Sequence, residues 1–164
     1  MHTDQRALTE QRLAYVTLTS VLLALVAALG LRRQKRNSVL HLRDVALLGL
    51  AAFRLGRLVS YDRVMEPLRS PFAQTVPDPT GAGESVEPKG AGWRRSAGEL
   101  LSCPICSGTW IATALLYGLE FAPGPTRVLM AIMSAMGLSE MLDSLVEWLC
   151  WNVRAARRQT GSKS

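Results

Sequence analysis

Two of the three cysteines in this 164-residue chain sit close together, in the run Cys103-Pro104-Ile105-Cys106 at the head of an apolar stretch. A Cys-x-x-Cys spacing suits a dithiol redox pair, or half of a four-ligand zinc site. Pro104 fits the first position of a helix, which predicts Cys103 at the N-cap and both thiols near the positive helix end. Thiolate chemistry is favoured there. Zinc at Cys103 and Cys106 needs two further ligands, but the only histidines are His2 and His41 and there is no second cysteine pair. A zinc site would therefore require a second copy of the chain. A thioredoxin-type site belongs on a strand–helix unit, and no strand pattern is legible. Three readings stay open for the pair: packing at a helix start, a metal or oxidation-sensitive site, or a catalytic thiol.

Charged residues form the second constellation. Arg54, Arg57 and Tyr61 follow helical spacing and share one face, as do Glu140, Asp143 and Glu147. Glu140 lies about 16 Å of helix from Trp151, so a carboxylate there sits deep if Trp151 marks a membrane interface. Such a group is costly unless paired or facing water. The expected arrangement is Arg54 and Arg57 against Glu140, Asp143 and Glu147, fixing helix register; an ion path or a ligand pocket between helices is the sharper alternative. No glycine-rich phosphate loop, His-Glu-x-x-His motif or Gly-x-Ser-x-Gly elbow occurs, and Ser107 has no paired histidine. No catalytic residue and no cofactor other than zinc is expected.

The elements that must position these groups follow from charge segregation. The chain is 48% hydrophobic with a net charge of +6, yet its charges are gathered into blocks between nearly uncharged stretches. Leu13–Leu31 is an uncharged run of about 28 Å as helix, enough to cross a bilayer. The following Arg32, Arg33, Lys35 and Arg36 form a stop-transfer flank and argue against a cleaved signal peptide. Val39–Tyr61 is helical by composition, but its longest uncharged run, Val45–Phe53, is too short to span. Arg63–Arg95 is expected to be a loop, with a flexible insertion at Pro77–Gly92. Ile105–Ala122 forms a second apolar helix, Pro123-Gly124-Pro125 breaks it, and Val128–Trp151 forms a third, ending in the interfacial pair Trp148 and Trp151. Ala24, Ala27, Ala28, Ser134, Ala135 and Gly137 permit close helix approach.

The resulting expectation is an all-α, multi-pass membrane helix bundle with about three transmembrane helices and one charged, partly inserted or interfacial helix at 39–61. Residues 1–37 form an anchor, 38–153 a membrane domain with a flexible loop at 70–95, and 154–164 a basic tail. Three crossings with the N-terminus outside and the C-terminus cytoplasmic leave only Arg6, Arg12 and Arg127 of the 19 basic residues outside. Cys103 and Cys106 are then cytoplasmic, where thiols stay reduced. The basic charge marks the cytoplasmic side and not nucleic acid. Expected partners are the lipid bilayer and either a second copy or another membrane protein. No lipidation signature stands at either end.

Two motifs together resemble a known family. Phe53-Arg54-Leu55-Gly56-Arg57-Leu58-Val59-Ser60-Tyr61-Asp62, followed by Glu66-Pro67-Leu68-Arg69, resembles one signature, and Gly98-Glu99-Leu100-Leu101-Ser102-Cys103-Pro104-Ile105-Cys106 with Trp110 resembles a second. Both belong to a bacterial and phage membrane-protein family catalogued as domain of unknown function 1360. Ile105 stands where the family usually has an aromatic residue. The resemblance covers Val45–Val153 and implies a small integral protein of the bacterial cytoplasmic membrane, with some members linked by name to sporulation. It implies no activity. The matching positions Arg54, Arg57, Asp62, Pro67, Arg69, Cys103, Cys106 and Trp110 are taken as a functional cluster at one membrane surface. A non-enzymatic interaction or assembly protein is the leading expectation; a metal- or redox-responsive protein and a phage holin-like protein are the alternatives.

Overall fold

A computed structural model describes residues 2–36, 41–77 and 84–161. Its elements are α1 (His2–Arg36), α2 (Leu42–Tyr61), a 3-10 turn (Arg63–Met65), α3 (Glu66–Arg69), β1 (Ala73–Pro77), β2 (Glu84–Pro88), α4 (Trp93–Ser102), α5 (Pro104–Phe121) and α6 (Pro123–Gly161). The chain is mostly helical. The antiparallel pair β1–β2 corrects the all-α expectation.

Helix α2 is the centre of the bundle, held between α5 and α6. It runs antiparallel to α5, with Ser60 facing Ser107 at one end and Ala51 packed with Leu115 nearer the other. It runs parallel to α6, where Ser134 Oγ donates to the Leu47 carbonyl at 2.7 Å and Arg57 meets Glu140 further along. The approach is close because small residues line it. A Cβ on Gly56 would stand 2.5 Å from the Pro104 carbonyl oxygen, and one on Gly137 would stand 3.0 Å from that of Leu50. A thin core of Ala51, Leu115 and Met130 gathers Leu47, Leu55 and Ile111 around it. Helix α2 thus lies alongside α5 for most of its length. Its arginines find partners within the bundle.

Helix α1 lies on the outside. Gln11 Nε2 donates to both carboxylate oxygens of Glu99 on α4, at 3.3 and 3.2 Å. Tyr117 donates to the Leu25 carbonyl at 2.7 Å, and the Arg32 guanidinium sits 5.3 Å from the centre of the Phe121 ring. The N-terminal part of α1 is thus at the same end of the bundle as Cys103, and Arg32 is at the other. The three-crossing expectation put these the opposite way round, because it gave α2 no length alongside the bundle.

By length and composition, α1 over Leu8–Gln34 and α6 over Pro123–Ala155 can cross a membrane. Helices α4 and α5 reach that standard only as a pair, bent by 86° between them.

The expected flexible loop at 70–95 is also corrected over the residues described; 78–83 lie outside them. Strands β1 and β2 pair from Ala73↔Pro88 to Pro77↔Glu84, so both prolines stand at strand ends, where a missing N–H is tolerated. The hairpin rests on α4 at Gly98, where a Cβ would run into the Phe72 carbonyl oxygen. Arg94 Nε donates to the Pro71 carbonyl at 2.7 Å, and Lys89 N donates to that of Phe72 at 2.7 Å.

Candidate functional site

At the end of the bundle where α2 finishes and α5 starts, the signature residues collect in two groups. The start of α5 separates them.

The first group surrounds the C-terminus of α2. Helix ends leave backbone carbonyls without partners, and the buried Arg69 answers two of them. Its Nη1 donates to the carbonyls of Val59 (3.2 Å) and Asp62 (3.4 Å), and its Nη2 to Thr75 Oγ1 (3.4 Å) on β1. Arg69, only 2% exposed, therefore ties α2 to the hairpin through α3. Pro67 lies at the start of α3 and is exposed, consistent with a turn-setting role.

Arg54 Nη2 donates to Asp62 Oδ2 at 2.8 Å, and its Nε lies 3.9 Å from Glu140 Oε2. Arg57 Nε donates to Glu140 Oε1 at 3.0 Å, with its guanidinium against the Phe53 and Tyr61 rings. Glu140 is thus the one acid of its stripe that the arginines reach. Asp143 and Glu147 are exposed and form no ion pair among the described residues. Two arginines one turn apart on α2 reach only one level of α6, and α6 continues past it. Sequence spacing matched the stripes but missed Asp62, whose extended backbone (φ −70, ψ 138) ends α2 and turns its carboxylate back toward Arg54.

The second group faces α1. Cys103 is the N-cap of α5, with Pro104 in the first turn, and its sulfur accepts from Cys106 N at 3.3 Å. Its place at the helix N-terminus, with the Cys106 N–H donating to it, favours the thiolate form of Cys103. Both cysteines line a cavity of about 420 Å³ between α1 and the elbow of α4 and α5, together with Glu99, Leu100 and Trp110. The wall opposite is α1: Tyr15, Leu18, Thr19 and Leu22. None of these four was picked out by residue type, because only tertiary packing brings α1 here. Glu99 is further held by Arg95, whose Nε donates at 3.1 Å. Among the described residues no three of His, Cys, Asp and Glu gather as a metal site.

One further feature was legible and overlooked. Ala52, Gly56 and Ser60 repeat small residues every four positions, the spacing of a close helix contact. In the structure they face Gly108, Pro104 and Ser107 of α5.

Comparison with known proteins places these groups in context. A family model described as Protein of unknown function (DUF1360) matches residues 47–146. The chain is 37% identical to the sporulation protein YjcA of Bacillus subtilis over 109 residues, which is 64% of this chain and 92% of that one. It is 28% identical to the UPF0713 protein YngL of the same organism over 102 residues, 61% of this chain and 75% of that one. No solved structure matches.

Proposed function

Because the chain belongs to the DUF1360 family, whose function is unknown, we propose a role from its own geometry: an integral membrane protein that presents a folded polar cap as an interaction or assembly surface. The observation that carries this reading is the junction at Arg69. One buried guanidinium fixes α3 and the hairpin to the end of an otherwise apolar bundle. Side chains on the flanks of that bundle, such as Val16, Leu23, Val128 and Ile132, are exposed. Contiguous apolar surface of that extent calls for lipid. The cap carries its own exposed apolar residues, Val64, Leu68 and Trp93, among Arg63, Lys89 and Arg94. That mixture suits a protein partner.

In this reading α1, α2, α5 and α6 all cross the bilayer of a bacterial cytoplasmic membrane, and the N- and C-terminal segments share a side. Arg6, Arg12, Arg63, Arg69, Lys89, Arg94, Arg95, Arg154, Arg157 and Arg158 lie at the cap end, against Arg32, Arg33, Lys35, Arg36, Arg43 and Arg127 at the other. Positive residues favour the cytoplasm, so the cap faces it. The name of the relative YjcA makes sporulation the first process in which to seek the partner.

The test is a photo-crosslinking residue at Leu68 in cells, combined with alkaline carbonate extraction. We expect the protein to stay with the membrane pellet and to give one discrete crosslinked protein band. Extraction into the supernatant overturns the membrane assignment, and crosslinking to lipid alone overturns the interaction role. A second reading, thiol responsiveness, is favoured by Cys103 and Cys106 lining one cavity at a helix start.

A further inference from the structure

We infer that Cys103 and Cys106 form a dithiol redox site that passes its electrons to a lipid-soluble quinone held in the cavity between α1 and the α4–α5 elbow. The inference rests on the membrane reading above and deepens its thiol-responsive form.

Three observations carry it. First, both cysteines are free, the Cys106 N–H donates to the Cys103 sulfur at 3.3 Å, and both line one cavity, so a single small molecule can meet both. Second, that cavity, at about 420 Å³, falls in the range of small-molecule sites, and its lining is mostly apolar and aromatic. Trp110 and Tyr15 offer flat faces to a quinone ring, while the Thr19 hydroxyl is a donor for a ring carbonyl. Third, one wall is α1, whose outer surface is exposed and apolar, so the natural supply of a ligand is the lipid phase. A metal ion is a poorer occupant, since the cavity offers two sulfurs and one carboxylate already engaged by Gln11 and Arg95.

The chemistry balances. Two S–H bonds break and one S–S bond forms, releasing two electrons and two protons. The quinone takes up both, and its two carbonyls become hydroxyls. Cys103 is the sulfur suited to begin, because it caps the helix N-terminus and already accepts from the Cys106 N–H.

The experiment uses the full chain in detergent, without oxygen, with tetramethyl-1,4-benzoquinone as the probe; its fully substituted ring resists stable thioether formation. Quinone absorbance is followed while free thiols are counted by maleimide mass tagging. We expect one quinol per chain and loss of two reactive thiols, with Cys150 still labelled. Cys103→Ser and Cys106→Ser each abolish quinol formation. Leu22→Trp, which fills the cavity away from the sulfurs, slows it about tenfold, while oxidation by a water-soluble disulfide keeps its rate. No quinol, oxidation through crosslinked chains alone, or an unchanged rate in Leu22→Trp overturns the inference. Carbonate extraction judges the membrane assignment separately, because the quinone assay runs on solubilised protein.

Discussion

Helices α1 and α2 invert the usual relation between hydrophobicity and burial. The most apolar span of α1 is only 6% buried, although it holds the long uncharged run from Leu13 to Leu31. Helix α2 carries Asp44, Arg54 and Arg57, yet Ala51, Ala52, Gly56 and Ser60 are buried between two neighbours. In water the apolar helix would be the core. In lipid, apolar side chains gain nothing by leaving the surface, and small residues and paired charges hold the interior together. The contrast between the two helices therefore adds burial to hydropathy in support of the membrane reading.

The sharpest way to break the contrast is to put one side chain at a glycine of each helix. Gly56→Leu forces bulk against the Pro104 carbonyl, backbone that cannot yield. We expect a loss of about 3 kcal/mol, at the upper end for overpacking, read as a large drop in the unfolding midpoint of the solubilised protein. Next in size is Arg69→Met, which leaves the carbonyls of Val59 and Asp62 without their donor. About 2 kcal/mol should go with them, and limited proteolysis should open the hairpin before the bundle.

A smaller effect is expected from charge reversal. Arg57→Glu and Glu140→Arg should each cost about 1 kcal/mol, because Arg57 is 42% exposed on its side chain and solvent weakens the pair. The double reversal should recover most of that in the same unfolding assay. A double variant no better than either single one would remove the pairing as a determinant of register. Smallest of all is Gly30→Leu on α1, where an added Cβ meets nothing within 4 Å. It should shift stability by less than about 0.5 kcal/mol. A large loss there would mean that α1 is a packed helix after all, and the contrast would fail.

Much of the site was legible in residue types. Cys103 as N-cap followed from Pro104, and the Arg57–Glu140 contact followed from matching stripes on two helices. The hairpin was not, because five prolines and four glycines between Arg63 and Arg95 argue for loop. Its strands survive by ending on Pro77 and Pro88, and it is held by Gly98 of α4, which leaves room for it and which no strand pattern points to. The cavity beside the cysteines was illegible too. Its far wall, from Tyr15 to Leu22, looks like any lipid-facing helix turn.

What the sequence determined alone was local: where apolar helices begin and stop, that two thiols share a helix start, and which charges fall on common faces. These depend on neighbours within a few residues, through backbone geometry and helical period. The tertiary structure decided which end of α1 lies beside Cys103, that α2 runs through the middle, and that Arg54 turns to Asp62 while Asp143 and Glu147 face outward. Those outcomes depend on close approach at Gly56, Gly108 and Gly137 and on mutual neutralisation of charge. Hydropathy scores each helix by itself, so it cannot see a neighbour such as α6, whose Glu140 pairs the arginines of α2.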